Sequence, residues 1–271
     1  MENATAGFMR QVGVCFGRCK RAFVNDRGWK VFVSVVLITL LVGMVMGEYT
    51  FVGYEDTKNG AYALVCACIW IGIFNSVRSV CRERDIVRRE HRTGLNVGAY
   101  MLAHWLYEAC LCAVESVLVA VVVRIVSGDH FIREPVFLPA LLELYVSFFL
   151  ITFSADALGL LVSSVVHSEN TAMTVMPFVL IIQLVMAGVI FKLEGVTDLI
   201  SNLTISRWGF DALCATSCVD HMFEPMVGFN GVVEEQASTI SNLLGLWLIL
   251  AGFSVIYGIL AAVALSFVDR G

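Results

Sequence analysis

The chain has 271 residues, of which 58% are hydrophobic and 15% are charged. Soluble domains carry about 25% charged residues, and the mean hydropathy of this chain is +0.81. These values exclude an ordinary soluble domain and predict an all-α integral membrane protein with several spans of ~20 residues. The net charge is −5 and the basic residues are segregated along the chain, so nucleic acid is not an expected partner.

Residues 1–28 predict an N-terminal amphipathic helix in the cytoplasmic interface of the membrane. Its apolar residues recur at helical spacing and its cations point elsewhere, so its apolar side is expected at the acyl boundary. Either the helix only anchors the chain to the membrane surface, or it is a connecting helix that also touches a cytoplasmic partner. The apolar residues are Phe8, Val12, Cys15, Phe16, Cys19 and Phe23.

Residues 29–268 are predicted to contain six transmembrane helices. The third apolar run is long enough to be tilted or to project beyond the lipid. The first run follows a basic segment, so we expect no cleavable signal peptide and expect the first span to direct insertion. The predicted spans are Trp29–Gly47, Gly60–Val77, Leu95–Val126, Val136–Val166, Thr171–Phe191 and Ile240–Val268.

The segment Arg78–Arg92 contains six arginines and three acidic residues in fifteen positions. Each such charge would cost ~2.5–3.5 kcal/mol in the centre of a bilayer, so the segment is predicted to lie outside it. Its arginine excess, and the basic residues before the first span, predict the cytoplasmic side, because cytoplasmic loops are rich in lysine and arginine. We therefore expect a multi-pass plasma-membrane protein with both termini in the cytoplasm.

Residues 192–239 form the longest predicted outer loop. Apolar residues in its first half recur with roughly helical spacing but are too interrupted to span the membrane. They predict a re-entrant segment that dips into the outer leaflet. Cys214 and Cys218 lie in this loop and could pair in an oxidising compartment, although a spacing of four on a helix fits disulfide geometry poorly.

Six polar residues in the predicted spans are candidates for a translocation path or a polar relay. Buried charges in membranes are costly and tend to face protein or water. Glu108 and Glu115 are seven residues apart and so share a helix face, and Asp156 lies deepest. The alternative is that these residues bind one another or backbone groups and only hold the bundle together. The candidates are Asn75, Glu108, Glu115, Thr152, Asp156 and Gln183.

The sequence contains no recognisable enzyme motif. It lacks a G-x-x-x-x-G-K-S/T phosphate loop, an H-E-x-x-H sequence and a G-x-S-x-G sequence. Its nine cysteines and five histidines give no metal-ligand spacing. We therefore expect a transport subunit with no catalytic residues and no metal or cofactor of its own.

Four segments match one known pattern, in the right order between the predicted spans. Arg27 lies just before the first span. Glu83–Glu90 reads E-R-D-I-V-R-R-E and is followed by Gly98–Tyr100, which reads G-A-Y. Glu169–Phe191 contains a proline and an A-G pair, and Ser206–Leu213 reads S-R-W-G-F-D-A-L. Together they resemble the connecting helix, coupling helix, fifth span and outer re-entrant segment of the type-2 ABC exporter permeases, particularly the G subfamily.

The resemblance implies a single permease domain over residues 1–271, a half-transporter that dimerises with itself or a related permease around a central path. Separate ATP-binding subunits would bind ATP and Mg²⁺, since the phosphate loop is absent here. They would rock the cytoplasmic coupling helix, Cys81–Arg92, and so export a hydrophobic or amphipathic substrate across the lipid membrane.

The resemblance also implies roles for individual residues. Arg82, Arg84 and Arg88 are expected to face acidic residues of the ATP-binding partner. Asp85 and Arg89 are expected to pair, because four residues separate them on a helix. The implied coupling residues are Arg82, Glu83, Arg84, Asp85, Arg88, Arg89 and Glu90, and the implied outer re-entrant residues are Arg207, Trp208, Phe210 and Asp211.

Two other classes of protein are weighed against this interpretation. A secondary transporter or channel would be expected to have an internal repeat, and the two halves of this sequence do not mirror each other. A non-transporting membrane protein, such as an anchor, is the other alternative. A neighbouring gene for an ATP-binding protein would favour the exporter over both.

Overall fold

The computed structural model describes residues 7–132, 135–189, 191, 195–222 and 236–268. Within these ranges the chain forms α-helices and two 3-10 turns and has no strand, which confirms the predicted all-α class. The helices are α1 (Phe8–Asn25), α2 (Lys30–Met46), α3 (Tyr54–Ser76), α4 (Ser79–Arg92), α5 (Val97–Ser127), α6 (Ala140–Val165), α7 (Glu169–Val185), α8 (Val196–Ser201), α9 (Ile205–Thr216) and α10 (Ile240–Val268). The predicted outer loop falls partly in residues 192–194 and 223–235, which lie outside the described ranges.

Four helical stretches of the described chain are long and apolar enough to cross a bilayer. A fifth results if α1 and α2, which are bent by 72° where they meet, count as one span. The remaining apolar helix, α7, has 17 residues and is about 26 Å long at 1.5 Å per residue. A helical multi-pass protein is therefore confirmed, and the count of six spans stays a prediction. The four stretches are Tyr54–Arg92, Val97–His130, Ala140–Val165 and Ile240–Phe267.

Three predicted spans have an end that differs by four residues or more in the structure. The second begins at Tyr54 rather than Gly60. The fourth begins at Ala140 rather than Val136, because the carboxylate of Glu143 accepts hydrogen bonds from backbone N–H groups of the residues that precede the helix. The fifth ends at Val185 rather than Phe191, and the chain turns soon afterwards at Gly188, whose φ is +77°. Positive φ values are accessible to glycine because it has no Cβ atom.

Helix α6 is the centre of the bundle. Every residue in the range Ile151–Leu160 is buried, so neighbouring helices cover this helix on all sides. It crosses α3 at very short range: a Cβ atom on Gly72 would lie 2.2 Å from the carbonyl oxygen of Thr152, and one on Gly159 would lie 2.3 Å from Oγ of Ser76. Small residues permit such close contact between membrane helices, so these two glycines set the α3–α6 spacing.

Helix α1 lies against the protein to a greater extent than its sequence predicts. Val12, Cys15 and Cys19 are buried, and the rings of Phe16 and Phe23 pack edge-on against Tyr107 of α5. The expectation that the whole apolar stripe lies at the acyl boundary is therefore wrong. Most of that stripe packs on the bundle instead, because α5 offers an apolar surface that the sequence of α1 alone cannot reveal.

Helix α9 is inserted among the longer helices. All of its residues from Gly209 to Thr216 are buried, and a Cβ atom on Gly209 would lie 3.0 Å from Ile151 of α6. Its Cys214 carries a buried free thiol, so the disulfide left open by the sequence does not form. We name the two ends of the bundle by their helices. At the α9 end, α9 packs beside the first half of α3, and at the α4 end, α4 follows the last residue of α3.

We expect Gly72→Ala to destabilise the protein by about 1–3 kcal/mol, the usual cost of overpacking a core. The added methyl group would meet backbone atoms of α6, which cannot move aside as a flexible side chain could. Thermal unfolding in detergent measures the effect. Gly252→Ala is the matched control, because a Cβ atom there meets nothing within 4 Å. Equal stability of the two variants would contradict the assigned role of Gly72.

Candidate functional site

A hydroxyl group of α6 holds the beginning of α4. Oγ of Ser163 accepts hydrogen bonds from the backbone N–H groups of Val80 and Cys81, both at 3.0 Å. The first N–H groups of any helix have no partner within that helix, and the N-cap residue Arg78 supplies no side-chain bond. The start of α4 is therefore bonded directly to the central helix of the bundle.

Arg84 attaches α4 to the same helix at a second point. Its Nη1 donates to the carbonyl oxygen of Val166, the residue that follows α6. The last carbonyl groups of a helix lack partners within it and carry partial negative charge, so they suit a guanidinium group. The expectation that Arg84 faces a partner protein is therefore corrected, because the guanidinium group binds the end of α6 within this chain.

Arg18 of α1 binds both glutamates of α4. Its Nη1 lies 3.0 and 2.9 Å from the two carboxylate oxygens of Glu90, and its Nη2 lies 3.0 Å from Oε2 of Glu83. The hydroxyl of Tyr100 on α5 donates to the same Glu83 oxygen at 3.1 Å. We call Arg18, Glu83, Glu90 and Tyr100 the α4 clamp. Glu83 and Glu90, which were predicted to couple to a partner, hold α4 against α1 and α5.

A second link joins α1 to the turn between α4 and α5. Nε2 of Gln11 donates to the carbonyl oxygen of Gly94 at 3.3 Å, and its Oε1 accepts from the N–H of Asn96 at 2.8 Å. The side chain of Asn96 in turn caps α5 by accepting from the N–H groups of Gly98 and Ala99. Helix α1 is thus bonded to the whole hairpin formed by α4 and the start of α5.

The other face of α4 is exposed and predominantly cationic. The predicted pair of Asp85 with Arg89 is not among the ion pairs of the described residues, and both side chains are exposed. Arg82 lies 3.6 Å from Asp26 of α1, with both side chains more than half exposed, and such a pair contributes little. The exposed residues of α4 include Arg82, Asp85, Ile86, Arg88, Arg89 and Arg92.

The polar candidates on α3, α5 and α6 come together in the core. Nδ2 of Asn75 donates to both carboxylate oxygens of Glu115 at 2.9 and 2.8 Å, and the hydroxyl of Ser79 lies 3.4 Å from Oε1 of Glu108. Asp156 of α6 lies at the same part of α3, because the hydroxyl of Ser76, the neighbour of Asn75, donates to its backbone carbonyl oxygen at 2.6 Å. Thr152 lies one turn before Asp156 on the same helix and contributes its carbonyl oxygen to the close contact with Gly72.

Gln183 lies apart from this group and holds α9. Its Oε1 accepts hydrogen bonds from the backbone N–H groups of Ile205 and Ser206 at 3.0 and 3.2 Å. These are the first residues of α9, so an amide of α7 caps a buried helix that its own N-cap residue, Thr204, does not cap. Gln183 therefore bonds backbone groups of α9, which agrees with the alternative that these candidates hold the bundle together.

The residues predicted for the outer re-entrant segment lie on α9 and contact α8 and the neighbouring loop. Arg207 binds the carboxylate of Asp198, and Nε1 of Trp208 donates to the carbonyl oxygen of Asn202 at 2.9 Å. Together with Phe210 and Asp211, Arg207 lines a cavity of about 320 Å³ at the α9 end. The bonds within the α8–α9 unit give this short segment a defined shape.

Sequence analysis did not identify the residues that anchor α4. Arg18 counted only among the cations of the N-terminal helix, and Ser163 was not among the candidate residues. Nothing in the sequence distinguishes them, since α1 has several other cations and α6 several other hydroxyl residues. Neither residue has a partner nearby in sequence, since 72 residues separate Arg18 from Glu90 and 83 separate Ser163 from Val80.

The fold and its charged helix define the chain as a multi-pass helical membrane protein with a charged helix docked at one end of the bundle. The model of the ABC-2 type transporter family matches residues 10–217, which include α1 to α9. The chain belongs to this family and is the membrane-embedded permease part of an ABC transporter.

It is similar to an ABC transporter ATP-binding/permease protein of Mycobacterium tuberculosis, strain ATCC 25618 / H37Rv. The two are 28% identical over 227 residues, and the match covers 79% of this chain and 26% of the relative. The chain thus spans about a quarter of the length of that relative.

A double-mutant cycle tests the α4 clamp. We expect Arg18→Met and Glu83→Gln each to lower the unfolding temperature, and to show a coupling energy of about 1–2 kcal/mol, because each substitution removes one partner of a partly buried charged hydrogen bond. The control cycle pairs Glu83→Gln with Arg21→Met. Arg21 is exposed and bonds only the carbonyl oxygen of Gly17 within its own helix, so its coupling should be close to zero. Similar coupling in the two cycles would refute the clamp.

Proposed function

We propose that this permease domain forms half of an ATP-driven exporter, in which α4 receives the motion of an ATP-binding domain. The two faces of α4 support this proposal. One face is bonded to α1, α5 and α6 by the α4 clamp, by Ser163 and by Arg84. The other face presents exposed arginines. A helix fixed to the bundle on one side and charged on the other is suited to pass a displacement into the membrane.

The bonds of α4 lead to the part of the permease that would have to move. Ser163 and Arg84 connect α4 to α6, and α6 is covered on all sides by neighbouring helices. Because packed interiors transmit displacement poorly through voids but well through close contact, a shift of α4 would move α6. It would also act on α3, whose spacing from α6 is fixed by Gly72.

The α4 end is proposed to be cytoplasmic, with both termini on that side. The arginines of α4 and the cations of α1 lie at this end, and cytoplasmic segments next to spans are enriched in lysine and arginine. An ATP-binding domain would meet the chain there, since ATP is available in the cytoplasm. Acidic residues on that domain would complement Arg88 and Arg89, both of which are exposed.

ATP and Mg²⁺ would be bound by the ATP-binding domain, because this sequence has no phosphate loop. The relative named as an ATP-binding/permease protein supports a partnership between the two kinds of domain. We propose that the partner acts as a separate subunit, and a domain on the same polypeptide would use the same exposed face of α4. This chain would contribute transport and no hydrolysis.

Assignment to the G subfamily and assembly with a second permease are parts of the same proposal. The order of α1, a sharp bend into α2, a docked α4 and a short buried α9 before α10 supports the subfamily. Exposed apolar residues on α7, including Phe178, Ile181 and Ile182, offer an area for a second copy, for a related permease or for lipid. A hydrophobic or amphipathic substrate suits a path between such surfaces.

We expect the double charge reversal Arg88→Glu with Arg89→Glu to lower ATP hydrolysis by the assembled transporter about fivefold or more. Typical coupling energies of 1–3 kcal/mol correspond to changes of that size. ATPase activity and export are measured on the complex of this chain with its ATP-binding domain in liposomes, after a pull-down has established which ATPase accompanies it. Melting temperature should stay unchanged, since both side chains are exposed.

Arg124→Glu serves as the control. Arg124 lies near the end of α5, away from α4, and is also exposed, and its contacts are to Gly128 and to the ring of Phe131. Reversal there should leave ATPase activity near that of the unaltered transporter. Full activity of the Arg88/Arg89 variant, or export by the purified chain without nucleotide, would overturn the proposed function.

A further inference from the structure

Three carboxyl groups are buried in the core at the α4 end with few hydrogen-bond donors around them. Glu108 is 3% exposed, and Glu115 and Asp156 are 0% exposed. Glu115 receives the amide of Asn75, and Glu108 receives only the hydroxyl of Ser79. Within the described residues, Oε2 of Glu108 and both carboxyl oxygens of Asp156 have no hydrogen-bond partner.

Helix α6 provides an internal comparison for these groups. Its Glu143 is also 0% exposed, but its carboxylate accepts three backbone hydrogen bonds, from the N–H groups of Val136, Phe137 and Leu138 at 3.1, 2.7 and 2.8 Å. Both oxygens of this carboxyl group are therefore hydrogen-bonded. More than three turns further along the same helix, the carboxyl oxygens of Asp156 have no such donor among the described residues. The two acids of α6 thus have opposite environments.

An ionised carboxylate that is buried without donors is very unfavourable, and nearby like charges add to the cost. Asn75, Ser76 and Ser79 bond Glu115, the backbone of Asp156 and Glu108 in turn, so the three acids lie along one short stretch of chain. A metal ion does not offer a solution, because the described residues contain no group of three or more acidic, histidine or cysteine side chains that could hold one. Protonation neutralises each carboxylate separately, so the three groups do not have to lie close enough to share one ligand.

A cavity of about 240 Å³ leads to this cluster from the α4 end. It lies between α1, the start of α2, the α3–α4 junction and α5, and Glu108, Asn75 and Ser79 are part of its wall. Other titratable or charged groups facing it are Cys19 and Asp26 of α1, Arg78, Arg82 and Glu83 around α4, and His104 and Tyr107 of α5. Glu108 therefore belongs to the wall of a cavity that water from the α4 end can enter, and its unpartnered oxygen is buried behind that wall. Cys112 of α5 is also buried in the core.

We propose that Glu108, Glu115 and Asp156 form a proton-binding site that is loaded through this cavity. Each carboxylate takes one proton from water in the cavity and becomes a neutral acid, and it returns that proton when the packing around it opens. The loaded site permits the tight α3–α6 crossing, since Asp156 lies at that crossing. The link between proton release and transport rests on the proposed function, whereas the protonated state itself does not.

Infrared spectroscopy of the full-length purified chain tests the protonated state directly. Protonated carboxyl groups have a carbonyl stretch that ionised ones lack. We expect Asp156→Asn and Glu108→Gln each to lose such a band at neutral pH. Glu143→Gln is the matched control and should lose none. The proposal would be overturned if neither Asp156→Asn nor Glu108→Gln lost a protonated-acid band, or if Glu143→Gln lost an equal one.

Stability supplies a second readout if one variant folds poorly. Asp156→Asn replaces a neutral acid with a neutral amide of the same shape, so its melting temperature should equal or exceed that of the unaltered chain. Glu143→Gln should melt at a lower temperature, because the amide can satisfy fewer of the three backbone donors. The infrared spectrum of the unaltered protein at neutral pH needs no variant, and the absence of any protonated carboxyl band there would overturn the proposal.

The connection to transport is tested separately, on the complex of this chain with its ATP-binding domain. Glu108→Gln should shift the pH profile of ATP hydrolysis, whereas the Arg88/Arg89 reversal should lower hydrolysis at every pH without shifting the profile. An unshifted profile would reject the coupling to transport. If no ATPase accompanies the chain, the proposed function fails, and the infrared result still decides whether the three acids bind protons.

Discussion

The contact between Arg18 and the two glutamates of α4 is the interaction on which the arrangement at the α4 end depends. Without a cation at this point, Glu83 and Glu90 would lose the ion pairs that join them to α1. The side chain of Glu83 is mostly buried, and hydrogen bonds to charged groups are among the stronger ones, so the attachment of α4 to α1 would be weakened. The guanidinium group suits this position because its planar fork can bind two carboxylates at once.

Helix α6 connects α4, which that contact holds, to the rest of the bundle. It supplies the hydroxyl of Ser163 and the carbonyl of Val166 that hold α4, and it crosses α3 with almost no space between the backbones. The same helix contacts α9, whose start is held in turn by Gln183 of α7. A single helix, buried over Ile151–Leu160, therefore links α4 and its exposed arginines at one end to α9 at the other, through contacts that can carry coupling between distant sites.

The proton site lies on this route. Asp156 is located between the anchor of α4 and the contact with α9, where α3 and α6 lie closest. A change of spacing there would admit water to carboxyl groups that are dry in this structure, and their ionisation would then oppose the return to close packing. Ionisation of the acids would consequently accompany a wider spacing of α3 and α6, and protonation a closer one. The contrast with Glu143 indicates that the lack of donors is a local property of this site.

Sequence by itself determined the membrane class, the helical fold, the charged segment and the approximate position of most helices, because hydropathy and charge are local properties of the chain. It also brought Glu108 and Glu115 onto one helix face. It could not determine which acids of α4 turn inward, that Arg84 binds α6, or that Gln183 caps α9. Those outcomes depend on partners such as Arg18 and Glu83, which are 65 residues apart in the chain. Only the tertiary structure brings such groups within bonding distance, since helix packing rather than local propensity sets which faces meet.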